Sequence, residues 1–529
     1  MGRTGAIGPQ AASRQTGITW LALTLVWLAA TANAVVFTEP APVDLLSVAV
    51  IAVLPICGLA SYRPPIAGAA VLLAIMMASA YVAISQVTFD YADAYDFGGN
   101  FQKAIVYNAI TTYLCLFAIV IAAFVALSPV RHGQLLLSGL ICAGVIAGTA
   151  GILGYFDVPP GAASVFTLHG RASGTFKDPN VLGGFLVVPL VLCAHLALHG
   201  RSLTRVAGLC CGIIVALAVL LTFSRGAWLS AAFALSVFGF LTFTTAKTNR
   251  ERITHALGLI LTVAILGAAL AVTALTSDDV AAFLEERAQA VQSYDEGPEG
   301  RFGGQLKALD LISEHPLGLG ALQFSPRFHM ELPHNVFLNR FLSTGWIGGF
   351  AFTLLVLALL TWGFGHALRP VPHQKIFQAF FAAFVGTVML GLLVDIDHWR
   401  HLYLLMGVIL GAISHHPTTR FVDATNTNEA ATLDADRPAA PAAADLALSR
   451  LSATGRHEPR RAVRLAGHAL APRATPLAPI ILVQRNLRRS RRSTIRGRSR
   501  RHIAGTFLRL EGGLARPLGW QPRRPPRIG

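Results

Sequence analysis

Three separate places in the chain carry cations where an apolar sequence leaves little room for them. Arg171 and Lys177 stand in 171–180, RASGTFKDPN, beside an Asp178-Pro179 pair that suits a helix start. Arg225 lies in Phe223-Ser224-Arg225-Gly226, a hairpin so short that both of its arms read as membrane spans. Arg301 follows the turn Gly297-Pro298-Glu299-Gly300, and Pro333 is expected to open the next spanning helix, with His334 of Pro333-His334-Asn335 in its first turn. A guanidinium grips a phosphate through paired hydrogen bonds. A neutral imidazole at a helix N-terminus, where the dipole disfavours imidazolium, can take a proton from a hydroxyl. Together these groups suit holding a diphosphate leaving group while a sugar hydroxyl is deprotonated, and that task requires no metal and no cofactor. On spacing alone, 171–180 reads equally as an ordinary interfacial loop. Arg225 reads also as an arginine snorkelling to the headgroups, and His334 as the cap of an interfacial helix.

The elements that must position these groups are membrane helices. Of 529 residues 53% are hydrophobic and only 13% charged, against about 25% charged in a soluble domain. Runs long enough to span a bilayer, roughly 20 apolar residues each, lie near 17–37, 44–61, 66–84, 104–128, 134–156, 180–199, 204–223, 226–244, 253–275, 341–366, 374–394 and 400–415. The expectation is an all-α polytopic bundle of about twelve spans over residues 1–416. The first run is a span and not a cleaved signal peptide, because it is long enough to cross and other spans follow it. All six cysteines sit inside apolar runs without metal-ligand spacing, as small packing residues do.

Lys and Arg in alternate short connections, including Arg63, Arg131, Arg201, Lys247 and Arg369, mark one side as cytoplasmic. The three cationic places then fall on the outer side, together with the one large loop, 276–340. In that loop Ser277, Asp278 and Asp279 resemble a helix start, and Val280, Phe283, Leu284, Ala288 and Val291 recur at helical spacing. A second short surface helix is expected from about Phe302 to Glu314. Residues 417–529 hold 22 of the 43 Lys and Arg, all Arg, and nearly all of the net charge of +16. Their composition predicts a disordered cytoplasmic tail, suited to anionic lipid headgroups or to no role at all, and excludes reading the whole chain as a nucleic-acid binder.

The series RASGTFKDPNVLGG, LLTFSRGAW, LDLISEHPLGLGALQF and LPHNVFLNRFLSTGWIGG, in this order across residues 165–350, resembles the bacterial O-antigen ligase and polymerase family. The resemblance implies a multi-pass protein of the bacterial inner membrane. It implies transfer of a glycan from an undecaprenyl diphosphate carrier to a lipid A core or sugar hydroxyl at the periplasmic face, by inverting, metal-independent chemistry. Arg171, Arg225 and Arg301, with Lys177 beside them, would bind the diphosphate, and His334 would activate the acceptor. Asn335, Asp395 and Asp397 would support them. Asp395, Asp397 and His398 read alternatively as ligands of a divalent metal in a metal-dependent transferase, with Asp90, Asp93 and Asp96 on the same side. A twelve-span transporter is the more distant alternative. Against it, its usual long connection between spans six and seven is here the short 199–204.

Overall fold

The computed structural model describes residues 9–38, 40–89, 99–258, 297–298, 300–325 and 327–415. Its helices are α1 (Pro9–Thr31), α2 (Pro42–Ile56), α3 (Pro64–Ala83), α4 (Asn100–Val125), α5 (Pro129–Tyr155), α6 (Pro179–His199), α7 (Ser202–Leu221), α8 (Arg225–Thr245), α9 (Arg301–Glu314), α10 (Val336–Ala367), α11 (Gln374–Leu390) and α12 (Arg400–Ile413). Prolines begin α2, α3, α5 and α6, at a position where the missing N–H costs nothing. The only strands among the described residues are a two-residue pair, Thr167–Leu168 against Arg171–Ala172.

Eight helices among the described residues are long and apolar enough to cross a membrane: α1, α3 to α8, and α10. Three further expected spans appear as the shorter apolar helices α2, α11 and α12. Of the run expected at 253–275, and of the surface helix expected from Ser277, all beyond residue 258 lies outside the described residues. So do Asp90, Asp93, Asp96 and the tail from residue 416. The second expected surface helix is α9.

The bundle is wrapped in apolar side chains that water would not tolerate. On α10, Ile347, Phe350, Leu354 and Leu357 form an exposed stripe at helical spacing, and α7 exposes Leu203, Val206, Leu209 and Ile213. A hydrocarbon solvent accounts for such surfaces. Inside, α12 lies against α4 and α10 against α3. A Cβ on Gly411 of α12 would stand 2.4 Å from the Ala122 carbonyl oxygen of α4, so a small residue sets that approach.

Two expectations about α10 are corrected. The helix opens at Val336 rather than at Pro333, because the Asn335 side chain accepts the N–H groups of Phe337 and Leu338 and caps it. His334 therefore precedes the helix instead of sitting in its first turn. The helix is also not one straight span: it breaks at Gly345, whose φ of 68° is left-handed. The segment after α9 fills the break, with Leu319 N–H bonded to the Leu342 carbonyl (2.7 Å) and Trp346 N–H to the Pro316 carbonyl (2.9 Å). The Trp346 indole adds a bond to the Ile312 carbonyl at 2.7 Å, fastening the loop helix α9 to α10.

Candidate active site

The first two cationic places of the sequence meet in space. Asp178 caps α6 by accepting the Asn180 N–H at 2.7 Å. Arg171 Nη2 donates to Asn180 Oδ1 (2.9 Å) and its Nε to the Thr222 carbonyl (2.8 Å). Thr222 lies three residues before Arg225, in the turn between α7 and α8. That turn is made by Phe223 in left-handed backbone (φ 48°) and by Ser224, whose hydroxyl accepts the Ala227 N–H and starts α8 at Arg225. A buried phenylalanine in that conformation costs on the order of 1–3 kcal/mol, so the surrounding packing dictates the turn. Arg225 is half-buried and Lys177 exposed.

His334 is placed by a second strained residue, its own backbone having φ 49°. Its N–H donates to Asp395 Oδ2 at 3.0 Å, and its Nε2 lies 2.9 Å from Glu331 Oε2. A carboxylate only accepts, so Nε2 carries the proton in the neutral ring and Nδ1 keeps its lone pair, 4.0 Å from Asp395 Oδ2. Two carboxylates thus flank the imidazole, where the sequence pointed to a helix dipole. Burial, and then the charge of Asp397, push the Asp395 carboxyl up to about 7, against the pull of the His334 and Asn335 N–H groups and of Arg301. The Arg301 charge is therefore felt where His334 is anchored.

The turn after α11 joins the two halves. Its Gly391 carbonyl accepts the Val336 N–H at 2.7 Å, just beyond His334. On its other side, a Cβ on Gly226 would touch Leu390 at 3.0 Å, next to Arg225. Arg171, Arg225, His334 and Asp395 accordingly belong to one end of the bundle.

Asp397 is paired with a residue that the sequence reading passed over. Arg340, inside α10 and 1% exposed, donates from Nη2 to the Asp397 carbonyl (2.8 Å) and to the Tyr403 hydroxyl (3.0 Å), and the same nitrogen is 3.6 Å from Asp397 Oδ2. Tyr107 and Asn339 also donate to that carboxylate oxygen. Burial alone would raise the Asp397 carboxyl, but the Arg340 charge leaves it below its ordinary value. The available signal was the arginine itself, a full charge in an apolar helix five residues after Asn335. Asp397 thus ties the 395–399 turn to α10 through Arg340. His398 bonds Thr111 at 2.9 Å and stacks on Tyr107, and among the described residues no three His, Cys, Asp or Glu converge as metal ligands.

A polytopic helical bundle with arginines, a histidine and carboxylates gathered at one end is a membrane protein with a polar site at its boundary. A model of the O-antigen ligase family matches residues 210–353 of the chain. The match includes Arg225, Arg301, His334, Asn335 and Arg340, whereas Arg171, Lys177, Asp395 and Asp397 fall outside it. No curated protein matches the chain.

Proposed function

We propose that this protein is an O-antigen ligase-type glycosyltransferase of the bacterial inner membrane, with about twelve spans and its site facing the periplasm. It moves a glycan from undecaprenyl diphosphate to a hydroxyl of the lipid A core or of another sugar. The observation that carries this reading is the junction of the Arg171 and Arg225 turns with the turn that anchors His334 through Asp395. Arg171, Arg225 and Arg301, with Lys177 at the rim, hold the diphosphate. The acceptor O–H gives its proton to Nδ1 of His334, and the oxygen attacks the anomeric carbon from the face opposite the diphosphate. The bond from that carbon to the phosphate oxygen breaks, its electron pair leaves with undecaprenyl diphosphate, and the configuration inverts. The arginines meet the charge that develops on the leaving oxygen, and no metal takes part.

The test is reconstitution of the purified protein with undecaprenyl-diphosphate glycan and a lipid A core acceptor, with chelator present. Glycan transfer is expected, and its absence with a competent acceptor removes the reading. Deleting the gene and separating the lipopolysaccharide on a gel distinguishes ligase from polymerase. Long chains left unattached are expected; caps of a single unit would make the protein a polymerase.

A further inference from the structure

The chemistry above leaves unused a cavity of about 190 Å³ lined by Tyr107, Gln323, Phe324, Asn339, Ser343 and Asp395, among others. At about 30 Å³ per water it has the volume of about six waters, well below the 300 Å³ or more of a drug-sized pocket. One sugar ring is the size of molecule it admits. Its lining includes the carboxyl groups of Asp395 and Asp397 and no arginine or lysine, so it offers a diphosphate no guanidinium or ammonium and suits a neutral partner rich in hydroxyl donors.

The polar wall is built and incompletely engaged. The Asp395 side chain is 8% exposed, yet its Oδ1 is buried with no hydrogen-bond partner. A buried acceptor left in that condition has lost its water without gaining a partner and calls for a donor. Gln323 and Ser343 are buried as well, held only by a 3.2 Å bond to the Ala321 carbonyl and a 3.4 Å contact with the Arg340 carbonyl. Both can turn to a ligand at little cost. Phe324 and Tyr107 add aromatic rings to the lining, and Tyr107 is fixed by its stack on His398 at 3.7 Å.

We propose that this cavity is the subsite for one neutral pyranose ring of the acceptor, presenting its hydroxyl to His334. This rests on the glycosyltransferase reading and deepens it. Asp395 both lines the cavity and accepts the His334 N–H, so a ring bonded there lies beside the imidazole. The sugar of the donor is tethered instead to a diphosphate, for which the cavity lining holds no arginine or lysine.

The test uses the full chain in nanodiscs, with methyl pyranosides of glucose, galactose and N-acetylglucosamine as probes in saturation-transfer NMR. Saturable binding of at least one probe is expected, weakened at least tenfold by Gln323→Leu and several-fold by Ser343→Ala, with undecaprenyl diphosphate binding and melting temperature unchanged. Probe binding that is absent, or equal in wild type and both variants, while the carrier still binds overturns the subsite alone. Displacement of the probe by glycan-loaded carrier but not by bare undecaprenyl diphosphate overturns the acceptor assignment. Failure of the underlying reading is distinct: wild-type protein would then bind no carrier and transfer no glycan.

Discussion

At the residue scale, the imidazole of His334 is oriented by two carboxylates, Glu331 at Nε2 and Asp395 at the backbone N–H. In the proposed role, His334→Ala abolishes glycan transfer while the protein still inserts and binds undecaprenyl diphosphate; transfer at the wild-type rate removes the proposed base. Asp395 has a consequence for stability. Its carboxyl is raised in the folded state, so the protein favours the protonated form more than the unfolded chain does. Its contribution is complete below the ordinary carboxylate range and is lost as pH rises toward and through about 7. The loss is on the order of 4 kcal/mol at 1.36 kcal/mol per unit. Melting temperatures between pH 4 and 8 should fall with rising pH, and Asp395→Asn should flatten that slope. Arg340 answers to different physics. Arg340→Met leaves Asp397 buried without its cation and is expected to cost about 3–5 kcal/mol, read as a lower melting temperature with carrier affinity preserved in whatever protein remains folded.

At the element scale, the break in α10 decides where the loop docks. A Cβ on Gly345 would lie 2.6 Å from the Leu317 carbonyl carbon and from the Pro316 carbonyl oxygen, and the backbone there is left-handed. Gly345→Ala therefore carries both a steric and a conformational penalty. It should lower stability by more than 2 kcal/mol and loosen α9, visible as faster hydrogen exchange at the Trp346 indole N–H, which α9 holds through Ile312. Normal exchange in that variant would mean that α9 docks independently of the break.

At the scale of the whole molecule, the proposed orientation puts Lys177 and His334 on the outer face, with Lys247 and Arg369 on the inner. Single cysteines at 177 and 334 should react with a membrane-impermeant maleimide in intact cells, and cysteines at 247 and 369 only after lysis, all in a background lacking the six native cysteines. The reverse pattern would invert the topology and remove the periplasmic site.

Apolar run length was enough to locate α1 to α8, because hydrocarbon thickness acts on local sequence alone. The Asp178 cap and the extent of α9 were legible for the same reason. The joining of Arg171 to the Thr222 turn, 51 residues away, was not legible, nor was the pairing of Arg340 with Asp397 across 57. Each depends on which helices are neighbours, and no local pattern encodes that. The break at Gly345 was hidden in another way: a glycine inside an apolar run is compatible with a continuous helix, and only the 316–319 segment pressed against it requires the left-handed backbone. Residue types along the chain thus determined a membrane bundle with cations at its boundary. Packing alone decided which carboxylate faces which cation, because a buried charge takes its partner from whatever element the fold brings within hydrogen-bonding reach.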